Sequence, residues 1–422
     1  MTRFKRILKR IAQTLIVLVL AALVINGLLQ FYWGKQTENR LAAIRAAGQP
    51  VSFADLQSKP VPKEDNAAPI YEQAFKLMAK PAKRPDIDAL NNVVCSRTPS
   101  PQDWATAKAA LTRSADIFAL IDKAQSKPEC EFPLRLDLLK DQGSQLAGLR
   151  EATRLLCASM VLNAREGKTQ EVVNYTKSAL RVNDAVRGNS AQIIDYLCSV
   201  AATQITLVNL RQTLHNCQLS EPQLRQLADA LSRIDSTELY RHAMECERVW
   251  GLQRMAGFKK AGIATPCGNG DNLVYLDVMA KAIASAPMSY SVAKSKGLMG
   301  PEVEDEVPFW AFFIRPLVPV FQRANFARYK SEAEIACGRV FLALQAYKGK
   351  FGRYPQSLAE LKSGIDWKLP IDPFTGKNLI YKPGSKGFIL YSVGPDQKDD
   401  GGNKLESNSP NIPRGDIVWK MD

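Results

Sequence analysis

The chain has 422 residues, 46% of them apolar and 23% charged, an ordinary globular composition with room for two or three domains and a sizeable core. Its net charge is +14, but five of the cations (Arg3, Lys5, Arg6, Lys9 and Arg10) crowd the N-terminus. No dense Lys/Arg block follows, which excludes the usual electrostatic footprint of a nucleic-acid binder and makes the remaining positive balance a solvated surface rather than an attraction to anionic lipid or acidic wall polymer.

Residues 11–33 carry no charged side chain and include the run Leu15-Ile16-Val17-Leu18-Val19-Leu20. A helix of that length spans a bilayer core of about 30 Å at about 1.5 Å per residue. The basic flank before it stays cytoplasmic, and Phe31, Tyr32 and Trp33 close it as an interfacial aromatic belt. The pattern predicts a single-pass anchor in the inner membrane with the bulk of the chain periplasmic. A cleaved signal peptide shares the basic start and the apolar run. Its best small-x-small site is Ile25-Asn26-Gly27, a poor match, and the length of the span and its aromatic end favour an anchor. Both readings export the remainder and leave nucleic acid out as a partner.

Beyond the span, residues 35–47 continue the helix to a stop at Gly48, and a Pro-rich extended stretch follows. Asn66 is placed to cap a helix with Pro69 in its first turn. From about 100 to 296 the periodicity is helical. Ser100-Pro101-Gln102-Asp103 and Ser220-Glu221-Pro222-Gln223 are capping boxes. Leu149, Ala152, Leu156 and Met160 mark one apolar face, and Leu224, Leu227, Leu231 and Ile234 another. Short loops between such helices favour antiparallel packing in a bundle or short solenoid, and no fixed repeat period occurs. Residues 301–330 read as a linker with four prolines, and the Phe309-Trp310-Ala311-Phe312-Phe313 cluster reads as packed, in preference to a membrane-surface contact.

All eight cysteines follow the span, which permits disulfides in an exported chain without fixing their pairing. Cys95 with Cys130, and Cys246 with Cys267, are placed to staple helix ends. Cys157 and Cys198 fall on apolar faces, as buried free thiols do. Without a Cys-x-x-Cys, neither redox chemistry nor a zinc ribbon is indicated.

The last ninety residues change character. Ala333, Cys337, Val340, Phe341, Leu344 and Tyr347 mark a helix ending near Gly349. Residues 379–382 and 387–392 read as strands joined through Pro383-Gly384-Ser385-Lys386, with residues 416–419 as a third. The fold class is therefore mainly α: an N-terminal transmembrane helix, a helical bundle or solenoid-like domain, and a small α+β C-terminal module with a β-hairpin. The segments are 1–36 tail and anchor, 37–99 stalk with a short helix, 100–300 helical domain, 301–330 linker and 331–422 C-terminal module.

Four motifs occur in order in that module: Leu344-Gln345-Ala346-Tyr347, Gly352-Arg353-Tyr354-Pro355, Asp372-Pro373-Phe374-Thr375-Gly376-Lys377, and Leu390-Tyr391-Ser392-Val393-Gly394-Pro395-Asp396. Together they resemble the C-terminal half of the major pseudopilin of type II secretion systems, over residues 331–422. The resemblance implies calcium in the loop after the hairpin, with Asp396 as a ligand and either Asp399 or Asp400, with Asp416 as a further candidate, completing the site. A Gly-rich acidic loop suits a hard cation. An EF-hand does not fit, since Lys398 and Ser407 stand where carboxylates belong. The chain departs from the family at its N-terminus, where no acidic residue precedes Glu38, and in the 290 or so residues between span and module. More loosely, residues 51–78 look like uncharacterised bacterial envelope proteins.

Catalytic signals are poor. His242 has Glu238, Glu245 and Cys246 on its helix face, but no second histidine helix completes a zinc site, and His215 sits at a helix end. Ser291-Val292-Ala293-Lys294 lacks the companion motifs of penicillin-binding enzymes, and Gly268-Asn269-Gly270-Asp271 reads as a turn. The sequence therefore predicts a non-enzymatic scaffold or interaction protein of the envelope, with the membrane and envelope proteins as partners and no evident small-molecule substrate. The alternative is an exported hydrolase acting on envelope polymer through its helical domain.

Overall fold

A computed structural model describes residues 2–56, 60–80, 86–95, 99–132, 142–188, 192–260, 268–404 and 414–421. Helices dominate: α1 Thr2–Ala46, α2 Ala68–Ala79, α3 Ile87–Cys95, α4 Pro101–Arg113, α5 Ala115–Gln125, α6 Gln142–Arg165, α7 Thr169–Gly188, α8 Ile193–Asn216, α9 Glu221–Ser232, α10 Ser236–Lys260, α11 Gly268–Ser285, α12 Tyr290–Ser295, α13 Pro301–Asp305, α14 Val318–Phe351 and α15 Leu358–Gly364. Strands β1 Ile380–Pro383, β2 Phe388–Ser392 and β3 Ile417–Met421 form one antiparallel sheet in the order β1-β2-β3. The mainly helical class with a small C-terminal sheet is as the sequence predicts.

The chain divides into two compact units. The first comprises Met1–Gln57, Glu245–Ala284 and Gly297–Gln322. Its α1 is one unbroken helix through the apolar run and the predicted continuation, ended where Gly48 takes a φ of 73°. Every residue from 11 to 29 is exposed, and burial begins only at Gln30. The rest of the unit packs conventionally. Buried Arg248 donates to Gln49 Oε1 and to the Pro50 carbonyl, both at 2.9 Å. Phe53 meets Trp250 edge-on at 4.7 Å. A Cβ on Gly251 would lie 2.1 Å from the Tyr275 hydroxyl, so that crossing requires glycine. Residues 301–330 hold α13, a 3-10 turn Arg315–Leu317 and the start of α14. The aromatic cluster is not packed away: Phe309, Phe312 and Phe313 are exposed, whereas Ala311 and Ile314 are buried.

The second unit comprises Ser58–Met244, Ser285–Lys296 and Arg323–Asp422, and one apolar core runs through its helices and its sheet. The consecutive helices α6, α7 and α8 pack on one another, with Leu149, Ala152, Leu156, Met160, Val172, Ala179 and Val182 buried. The Ser100 box forms: Asp103 N–H donates to Ser100 Oγ at 3.2 Å and Ser100 N–H to Asp103 Oδ2 at 2.8 Å. Asn66 does more than cap α2. Its Oδ1 accepts from Ala68 N–H and Glu131 N–H, tying the helix start to a distant segment. Helix α14 is buried nearly all round between residues 331 and 347, as expected of a central core helix. A Cβ on Gly338 would meet Trp419 of β3, Leu207 of α8 and Leu231 of α9 within 3.2–3.5 Å. The sheet and the bundle thus close on one helix.

Candidate functional site

The module's motifs are first of all structural. Gly352 ends α14 with a φ of 74°, and Tyr354 turns in edge-on to Phe388 at 4.9 Å. Asp372 is 1% exposed and works as a hub. Its Oδ1 accepts from Phe374 N–H and the Ser392 hydroxyl, both at 2.8 Å, and its Oδ2 from Val393 N–H at 3.3 Å. One carboxylate therefore fixes the Asp-Pro-Phe loop to the end of β2. Burial still holds its pKa above the ordinary carboxylate range, against the lowering effect of those donors. Phe374 is fully buried against Tyr290, Tyr329 and Phe326.

The loop after β2 carries the predicted aspartates. Asp396 closes its own turn, its Oδ1 accepting from Lys398 N–H at 3.3 Å. Gln397 between them takes a φ of 61°, an uncommon conformation for a side-chain-bearing residue, and donates from Nε2 to the Phe374 carbonyl. Asp399 Oδ1 accepts from the Tyr391 hydroxyl at 2.7 Å and Gly401 N–H at 2.9 Å, which lowers its pKa. Asp416 is 1% exposed and leads into β3. Its Oδ2 accepts from Gly402 N–H at 2.7 Å, and its backbone bridges to Lys404. Among the described residues its buried Oδ1 has no donor within hydrogen-bond distance, and neither has Asp400 Oδ2, although the Asp400 N–H also favours the charged Asp416 carboxylate. Burial raises the pKa of Asp416, and the charges of Asp400 and Asp399 raise it further. A hard cation suits two buried oxygens left without donors beside a third carboxylate. Asp400 and Asp416 fit that role, Asp399 through its remaining oxygen, and Asp396 is committed to its turn. Among the described residues no set of three or more His, Cys, Asp or Glu side chains is gathered as metal ligands, so a cation here needs backbone and water oxygens as well.

Beside this loop lies a cleft of about 900 Å³ lined by Trp104, Arg165, Arg211, His215, Lys404, Val418 and Lys420, among others, with no carboxylate among the described residues of its wall. Arg165 stacks over Trp104 at 4.5 Å. Arg211 donates to the Val418 carbonyl at 3.0 Å and lies over Trp419. Glu334 of α14 accepts from Trp419 Nε1 at 2.6 Å, its pKa raised by burial. Lys404 belongs both to the cleft wall and to the bridge with Asp416, so the acidic loop sets one rim of the cleft. These cations come from α6, α8, the loop after β2 and β3 itself, over 250 residues apart at the extremes, and no local spacing announces them.

The remaining expected residues do not converge on chemistry. His242 belongs to no metal set among the described residues, and Glu238 is paired with Arg241. His215 Nδ1 faces the Arg211 carbonyl at 2.8 Å. Ser291 and Lys294 lie in α12, whose Tyr290 and Ser291 N–H groups donate to the carbonyls of Pro373 and Phe374. Residues 268–271 open α11 rather than forming a free turn. Among the described residues there is no disulfide; the side chain of Cys95 and the whole of Cys267 lie outside them. Cys157 is buried as expected, but the Cys198 thiol is half-exposed. No family model, no curated protein and no solved structure matches the chain.

Proposed function

We propose that the chain is a single-pass, membrane-anchored envelope protein whose body lies on the extracytoplasmic side and works as a non-enzymatic interaction scaffold. The observation that carries the reading is the bare stretch of α1. Residues 11–29 are uncharged and predominantly apolar, every one of them is exposed, five cations precede them, and at about 1.5 Å per residue their length of about 28 Å matches a bilayer core. No other segment of the described chain leaves so much apolar surface uncovered.

The basic cleft is the surface on which this scaffold receives a partner, an acidic segment of another envelope protein. Calcium at Asp400 and Asp416, with Asp399 beside them, neutralises carboxylates that would otherwise repel one another. Through the Asp416–Lys404 bridge it holds the rim of the cleft in place. The resemblance to pseudopilins supports a place beside a secretion or pilus apparatus.

The test is copurification of the full chain from detergent-solubilised membranes in calcium, beside an Arg165→Glu, Lys420→Glu protein. A partner held by the parent and lost on charge reversal supports the scaffold reading. An unchanged set of companions removes the cleft from it.

A further inference from the structure

The exposed phenylalanines of residues 309–313 have a place in this molecule that burial alone does not give them. Gln30 is the first partly covered residue of α1; Phe31 and Tyr32 are again exposed, and Trp33 and Gly34 are partly covered. Asn269, at the start of α11, donates from its backbone N–H to Gln30 Oε1 and from Nδ2 to the Gln30 carbonyl, both at 2.9 Å. One turn further on, Trp33 stacks on Trp310 with ring centroids 5.1 Å apart. A Cβ on Gly270 would lie 3.0 Å from the Trp33 ring and 3.1 Å from that of Trp310. Three segments therefore meet at the very end of the uncharged run, with no spacer between span and body.

That junction fixes depth. With residues 11–29 filling the hydrocarbon core, Trp33 lies about 6 Å beyond them, at the headgroup level where tryptophan is favoured. Trp310, stacked on it, lies at the same level. Its neighbours Phe309, Phe312 and Phe313 are 78%, 62% and 48% exposed. The loop that carries them is not loose. Ala311 and Ile314 are buried, and the N–H groups of Ile314 and Arg315 both donate to the Ala311 carbonyl. A tightly turned loop with its aliphatic side chains inward and three phenylalanines outward is built to present those rings.

We propose that residues 309–313 form a second membrane contact, a phenylalanine wedge inserted into the phospholipid interface beside the anchor, with exposed Arg315 at the level of the lipid phosphates. The inference rests on the anchor reading above. The wedge stops α1 from acting as a free tether and fixes the tilt of the unit that carries it. The occupant is lipid because the depth of the patch is set by the helix it stacks on. A protein partner would have to reach the patch through the headgroups.

The test uses the full chain in vesicles of phosphatidylethanolamine and phosphatidylglycerol, with and without bromine on the acyl chains. Phe312→Trp adds one emitter at an exposed position where an aromatic already stands. The emission it adds over the parent protein is expected to be blue-shifted, lost in brominated vesicles and insensitive to aqueous iodide. Phe309→Trp should behave alike. Added emission that is red-shifted, unaffected by bromine and quenched by iodide overturns the wedge. Carbonate extraction of the parent separates the two readings: a chain that resists extraction but shows no bromine quenching keeps its anchor and loses the wedge, whereas a chain released by carbonate loses both.

Discussion

Among the described residues two helices are long and apolar enough to cross a membrane, and they meet opposite fates. In α1 none of the apolar window is buried, whereas in α8 half of it is. The difference lies in how the polar residues are spread. Helix α8 intersperses Ser199, Thr203, Thr206 and Asn209 among its apolar positions and turns them back on its own carbonyls. Thr203 Oγ donates to Ser199 O at 3.0 Å and Thr206 Oγ to Ala202 O at 3.1 Å. It thereby offers Leu207, Leu210 and Leu214 to the core with those hydroxyl donors satisfied. Helix α1 carries no polar side chain from Leu15 to Ile25, so no single face there selects a protein neighbour. Both pass the length and composition limits for a span, but α1 is the more apolar, with a mean hydropathy of 2.4 against 1.4, and the polar residues spread through α8 suit it to a protein core.

The largest expected effect breaks this comparison directly. Leu207→Ala removes a fully buried side chain and should lower the stability of the solubilised chain by about 2–5 kcal/mol in urea unfolding. Leu18→Ala, on the bare stretch, should leave the same transition in place. The converse substitution sharpens it. Leu18→Arg puts a charge at the centre of the span, at a cost of about 2.5–3.5 kcal/mol for insertion, and should shift chain from the membrane to the soluble fraction. Val208→Arg, on the exposed side of α8, should not.

Calcium comes next. At a hundredfold excess over its dissociation constant it should stabilise the intact chain by about 2.7 kcal/mol, read as a raised unfolding midpoint that Asp416→Asn abolishes. Proton linkage has the opposite sign to that of an ordinary salt-bridged aspartate. The folded-state pKa of Asp416 is raised above the ordinary 3.8, so its charged form opposes folding at neutral pH. In chelator, its contribution to stability should therefore improve as pH falls through the raised value toward 3.8, and Asp416→Asn should raise the midpoint at neutral pH. The calcium-dependent gain should fade over the same fall in pH, because the ion needs the carboxylate charged. The smallest effect belongs to the phenylalanine wedge: Phe312→Ser in detergent should alter stability by no more than about 0.5 kcal/mol, since the ring packs against little of the protein.

Much of this architecture is legible in the sequence because its signals are local. The charge-free run, the stop at Gly48, the Ser100 box and the hairpin around Gly384 each lie within a few consecutive residues. The parts that are not legible depend on distant neighbours. Asp372 reads as one letter of a turn motif, yet its partner Ser392 stands twenty residues on. The cleft draws Arg165, Arg211, Lys404 and Lys420 from separate elements. The aromatic cluster at 309–313 has a composition equally suited to a core or to a surface. Its exposure follows from which alternate residues, Ala311 and Ile314, the tertiary fold takes inward. Asp396, Asp399 and Asp400 are close in sequence and still separate by role, because Lys398 and Gly401 offer backbone donors to two of them.

The central claim is that one bare helix holds the rest of the chain on the extracytoplasmic face. Protease accessibility of the full-length protein in right-side-out and inverted membrane vesicles tests it most directly. The account predicts digestion of everything beyond residue 35 or so in right-side-out vesicles, with the helix retained in the membrane, and protection of the same region in inverted ones. Protection in right-side-out vesicles with digestion in inverted ones would contradict it.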